Sequence, residues 1–129
     1  VVDFITPDHA PHTLEEKRRE RYDEIPSGMP GLEELFPAVY TTLVRDGHIS
    51  LDRFVELTSS AAARAFGFPN GRIAPGYRAD LVAFDPNGSR QFMNEDAASK
   101  CGWTPHHGNV LYGIPKMTIV RGKVTLNNL

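Results

Sequence analysis

An α/β fold is predicted by three observations: an apolar run that breaks into a polar loop at the start, a helical middle, and a glycine-punctuated β tail. The opening run Val1, Val2, Phe4 and Ile5 has the length and β-branched content of a buried strand. It breaks at Thr6-Pro7 into Asp8-His9-Ala10-Pro11-His12. A carboxylate and two imidazoles between two prolines make a stiff polar loop on a rigid support, a setting in which binding and catalytic groups are often found.

Thr13 then caps a short helix through Leu14-Glu15-Glu16-Lys17-Arg18, with Glu16 at the reciprocal position of a capping box. The charge-rich run to Glu24 reads as a solvated face. Two prolines and two glycines in Ile25-Pro26-Ser27-Gly28-Met29-Pro30-Gly31 exclude a regular element. The stretch is either a plain connector or a place where backbone approaches something closely.

From Leu32 to Val44, apolar residues recur at three- and four-residue steps and predict an amphipathic helix closed by Asp46-Gly47, with a kink at Pro37. Ser50 caps a second helix bearing Leu51, Phe54, Val55 and Leu57. Ser59 or Ser60 starts a third, ending at Gly67. In the final third, Leu81–Phe84 and Met117–Val120 read as strands, and Arg121-Gly122 turns the chain into Lys123–Leu126 as a hairpin. A strand, a polar loop, helices and a β tail are what a βα unit and a small β domain would leave if cut from something larger. In a parallel α/β barrel, functional residues sit at the C-terminal ends of strands, where this reading places Asp8.

The 129 residues suit a single domain, and a formal charge of -2 gives no basic stripe for nucleic acid. No apolar run is long enough to span a bilayer. The single cysteine, Cys101, cannot form an internal disulfide, which fits a cytoplasmic location. The chain opens without methionine inside a predicted strand, so a preceding N-terminal portion is expected.

Thr6-Pro7-Asp8-His9-Ala10-Pro11-His12 resembles the second signature of the dihydroorotases, a branch of the amidohydrolase superfamily. The likeness continues through Pro26 to Glu33, Leu51 to Gly67, Gly71-Arg72-Ile73, Gly76-Tyr77, Ala79 to Val82, Lys100 to Pro105 and Thr118 to Gly122. It implies the C-terminal portion of a (β/α)8 barrel hydrolase with a small β-sandwich. Residues 1–67 would be the last barrel strand and its following helices, and residues 68–129 the C-terminal part of the sandwich.

The resemblance also implies the chemistry. Family enzymes interconvert L-dihydroorotate and N-carbamoyl-L-aspartate in pyrimidine synthesis, using one or two zinc ions whose other ligands would lie upstream of Val1. Asp8 matches the aspartate that contacts the metal and shuttles the proton. His12 matches the histidine that binds the substrate's carboxylate, and Ser27 and Gly28 match a loop that contacts its ring. A dihydropyrimidinase, hydantoinase or allantoinase is the neighbouring alternative, against which His12 argues. A non-catalytic, dihydroorotase-like structural partner of aspartate transcarbamoylase is another, and a free-standing module a third. The chain by itself is expected to lack activity and a tight zinc site, and to be accompanied by the missing barrel; homo-oligomers occur among the partners to consider.

Several residues invite weaker readings. Ala61-Ala62 stands where the family often has Asn-Pro, and His106-His107 where an aromatic residue and an acid are common. The adjacent histidines are read as an exposed loop, His9 as a supporting histidine, His48 as a helix-end residue and Cys101 as a packed thiol.

Overall fold

The computed structural model describes residues 2–128. Its first half is helical and its second half forms a three-stranded antiparallel sheet, so helix and sheet are both present as expected.

The predicted strand at the start is not formed among the described residues. Val1 lies outside them, and residues 2–8 carry no β pairing. A strand needs a lateral partner; here Ile5 N–H donates instead to the carbonyl of Leu57 on a helix, at 2.9 Å. The helix α1 (Leu14–Lys17) does have its full capping box, with Thr13 and Glu16 bonded reciprocally.

Helix α2 begins at Leu35, three residues later than predicted, and runs to Val39 before continuing as a π-helical turn, Tyr40–Arg45. Pro37 lies in the first turn, where its missing N–H has no intrahelical partner to lose. The deformation comes later, where Thr41 and Thr42 hydroxyls donate to the carbonyls of Pro37 and Ala38 at 2.7 and 2.8 Å. Such back-bonding competes with the helical ladder and widens it.

The second and third predicted helices are one continuous run. Ser50 caps α3 (Leu51–Val55), a π turn follows over Glu56–Ser60, and α4 (Ala61–Phe66) ends at Gly67. Ser60 has helical backbone and no side-chain cap, so no new helix starts there. Thr58 donates to the Phe54 carbonyl at 2.8 Å within this second widened turn.

All three strands are present, two of them longer than their apolar cores suggested: β1 (Leu81–Gln91), β2 (Val110–Val120) and β3 (Lys123–Asn127), in the order β1-β2-β3. Register runs from Leu81 opposite Ile119 to Gln91 opposite Val110, interrupted between Asp85 and Ser89. Pro86 sits in that interruption, where no ladder donor is required. Val120 faces Lys123 across the Arg121-Gly122 turn, both of whose φ angles are positive, as a tight hairpin of the primed type demands.

The helices pack directly on the sheet. Phe36 and Tyr40 meet Phe54 of α3 and Phe84 of β1 in four edge-to-face contacts with ring centroids 5.0–5.9 Å apart. Phe54 is the most enclosed of these rings, at 1% exposure. The Thr41 hydroxyl also accepts from the backbone N–H of Tyr112 at 2.8 Å, tying the widened helix turn to β2.

Candidate active site

The polar loop from Thr6 to His12 and the Pro/Gly-rich stretch from Pro26 to Leu32 lie against each other. His9 and Met29 form an isolated parallel bridge, and the Ala10 N–H donates to the Met29 carbonyl at 3.1 Å. His9 Nδ1 accepts from the backbone N–H groups of Gly31 and Leu32, at 3.2 and 3.3 Å. That nitrogen is therefore unprotonated, and the ring is a strut between the two segments.

Glycine is required at position 28. Its φ is +99°, and a Cβ there would stand 2.6 Å from the Cβ of Ala10 and 2.7 Å from its carbonyl oxygen. The stretch is thus more than a connector, because its backbone is pressed onto the loop carrying Asp8 and His12. Lys17 fastens it further: its ammonium donates to the carbonyls of Pro26 and Gly28.

Asp8 lies at the apex with φ +43°, a left-handed conformation that aspartate tolerates better than most residues. Its carboxylate is exposed and meets no donor or cation among the described residues. His12 is half-buried. Its carbonyl oxygen accepts from the Trp103 indole Nε1 at 2.6 Å, and its Nδ1 lies 3.6 Å from Glu16 Oε2. The same Glu16 oxygen accepts from Thr13 N–H at 2.8 Å. The Thr13 backbone and hydroxyl, and less strongly His12, hold the Glu16 carboxyl below its ordinary pKa. Ser27 is exposed beside Gly28.

Reading the sequence missed the supporting contacts of four residues. Lys17 was read only as part of a charged helix and Glu16 only as a capping residue, and nothing in the sequence joined Trp103 to His12. Glu33 is the fourth. It accepts from Ala98 N–H at 2.9 Å and pairs with Arg90 at 3.2 Å, fixing the end of the Pro/Gly stretch to the second half of the chain.

The remaining singled-out residues lie elsewhere. His107 Nδ1 accepts from Asn94 N–H at 3.0 Å, and His48 N–H bonds back to the Leu43 carbonyl at the end of the helix. The half-buried Cys101 thiol contacts Ser99 Oγ and the Trp103 carbonyl, with no base beside it among the described residues. Among the described residues, no three His, Cys, Asp or Glu side chains converge as a metal-binding set. Asp8 is the ligand this chain can offer: an uncommitted oxygen donor on a braced loop. A groove of about 1150 Å³ between α3–α4 and β1, lined by residues such as Phe68, Ile73 and Tyr77, contains none of the site residues. No helix is long and apolar enough to cross a membrane among the described residues.

The sequence and the fold are both shared with known proteins. The model of the amidohydrolase family matches residues 25–125, and the chain belongs to that family. It is similar to the dihydroorotase of Brevibacillus brevis, with 41% identity over 129 residues, covering 100% of this chain and 30% of that protein. It is also similar to the dihydroorotase of Halobacterium salinarum, with 42% identity over 123 residues, covering 94% of this chain and 28% of the relative. The chain thus spans under a third of the length of these curated relatives. Among solved structures it resembles a D-hydantoinase (dihydropyrimidinase) from Thermus sp., with a TM-score of 0.92, 34% identity and coverage of 98% of this chain and 28% of that one. The dihydropyrimidinase of Brevibacillus agri matches with a TM-score of 0.91 and 32% identity, over 98% of this chain and 28% of that one. The sequence likeness is thus to dihydroorotases and the likeness of shape to hydantoinases.

Proposed function

We propose that this chain carries part of the active site of a zinc-dependent dihydroorotase, which reversibly hydrolyses the cyclic amide of L-dihydroorotate to N-carbamoyl-L-aspartate in cytoplasmic pyrimidine synthesis. In this reading residues 1–67 close a (β/α)8 barrel and residues 68–129 complete a β-sandwich, the rest of both coming from further chain. The observation that carries it is His12, four residues after Asp8 on a loop held from three sides, with its Nδ1 turned to Glu16 and Nε2 left for a ligand. A substrate bearing a carboxylate needs such a donor; a neutral hydantoin ring does not.

Bound zinc would supply a water acidified to near neutrality. Asp8 would contact the metal, take the proton of the attacking water and return it to the leaving amide nitrogen, work that suits an exposed carboxylate with no competing partner. His12 would hold the substrate carboxylate, and the Ser27-Gly28 backbone would face its ring. The 129-residue chain alone would be inactive, since one carboxylate falls short of a zinc site.

The shape match to hydantoinases gives a second reading, in which the substrate is a neutral cyclic ureide. The whole protein, loaded with zinc, should be assayed side by side on L-dihydroorotate, 5,6-dihydrouracil and hydantoin. Turnover of dihydroorotate well above the other two is expected. A preference for either neutral ring would replace this reading with the hydantoinase one, and loss of none of its activity on prolonged chelation would remove zinc from it.

A further inference from the structure

We propose that Glu16 is a positioning residue for His12, orienting its ring for an anionic substrate, in addition to capping α1. This rests on the dihydroorotase reading and deepens it. The carboxylate is fixed before it meets His12: Oε2 accepts from the Thr13 backbone N–H at 2.8 Å and lies 3.2 Å from the Thr13 hydroxyl. Anchored there, the same oxygen stands 3.6 Å from His12 Nδ1, one helical turn away in sequence. The distance is that of an ion pair rather than a tight hydrogen bond.

The consequence concerns which ring nitrogen faces the substrate. A carboxylate behind Nδ1 favours a proton on that atom. Nε2 is then the ring atom left to face a substrate carboxylate, with the Glu16 carboxylate behind the ring. Without the Glu16 charge, the ring loses the partner that holds its Nδ1 edge. A residue that need not touch the ligand thereby sets how His12 is presented to it.

Capping and positioning separate experimentally. A capping box accepts glutamine as well as glutamate at this position. In Glu16→Gln the amide oxygen takes the Thr13 N–H, so the cap survives and only the charge beside His12 is lost. Thr13→Ala does the reverse, weakening the cap and leaving the carboxylate in place. In the zinc-loaded whole protein, Glu16→Gln is expected to raise KM for L-dihydroorotate about threefold to tenfold, with kcat within about a factor of two. Its melting temperature should stay near that of the unaltered protein. Thr13→Ala should lower the melting temperature and hold KM near its original value. An unchanged KM in Glu16→Gln, or an equal rise in both variants, would overturn the proposal and leave Glu16 as a helix cap. No dihydroorotate turnover by the unaltered protein would instead overturn the parent reading, and this inference with it.

Discussion

Trp103 Nε1 donates to the carbonyl oxygen of His12 at 2.6 Å, joining residues 91 positions apart. The connection between β1 and β2 thereby becomes a wall of the site, since the same connection also receives Glu33 through Ala98 N–H. Trp103→Phe keeps most of the aromatic bulk and removes only the donor. The His12 carbonyl then loses its partner, at a cost of about 1–3 kcal/mol if water does not replace it. Activity should suffer more than folding: kcat/KM for dihydroorotate is expected to drop about tenfold with a cooperative melt retained. Steady-state kinetics with a parallel thermal melt check this, and full activity would mean that the loop holds its shape without the indole.

In the roles proposed for them, Asp8 and His12 should fail in different ways. Removing a proton shuttle acts on the chemical step, whereas removing a substrate contact acts on binding. Asp8→Ala is expected to reduce kcat by several orders of magnitude, and His12→Ala to raise KM while leaving a measurable kcat. Both side chains are at least partly exposed, so neither change should unfold the protein. Equal kinetics for the two variants and the unaltered enzyme would sink the assignment of the loop as an active site.

The elements that were legible in the sequence are those fixed by local chemistry. Thr13 and Glu16 announced a capping box, Ser50 a helix start and Arg121-Gly122 a hairpin, and each is formed. The errors arise where a neighbour decides. An apolar run at the start signals a strand, but ladders are made between segments, and residues 2–8 have none beside them among the described residues. Ser59 and Ser60 looked like a helix start, yet the π turn carries the helix straight through them. For the candidate site, the spacing of Asp8 and His12 singled out the loop onto which the Pro/Gly stretch is pressed. The contacts of Lys17, Trp103 and Glu33 were invisible because each reaches a backbone atom, and a backbone atom leaves no mark on residue type.

Asp80 gives a pH signature distant from the site. Its carboxylate accepts from Arg121 N–H at 2.8 Å, Asn70 Nδ2 at 2.8 Å and Arg78 Nε at 2.7 Å, pinning the β2–β3 turn to the segment before β1. These donors, the Arg121 N–H foremost, lower its pKa from 3.8 to about 2. A depressed carboxylate pKa means that the folded state favours the ionised form. The stabilisation is therefore complete above pH 3.8 and is lost as pH falls through about 2. Asp80→Asn should be less stable than the unaltered protein at neutral pH, and the gap should close over that acid window. Thermal melts of both forms across the window check it, and a gap that does not change with pH would show that the carboxylate's charge is not what holds the turn.

Gly113 lies buried in β2 directly under Tyr40, one of the rings that join helices to sheet. A Cβ at this position would come within 2.5 Å of Tyr40 Cδ1, and the φ of +78° already disfavours any side chain. The ring cannot simply retreat, because Phe54 and Phe84 stand 5.9 and 5.2 Å away from it, centroid to centroid. Gly113→Ala therefore adds overpacking to backbone strain, and the two together should cost about 2–5 kcal/mol. Tyr40→Ala makes the complementary test, since it opens the space that the new methyl needs while losing the ring's own packing. If the clash with Tyr40 is the cause, the double variant will be less destabilised than the sum of the single ones. Chemical denaturation of all four forms measures that coupling; strict additivity would assign the whole cost of Gly113→Ala to its backbone conformation.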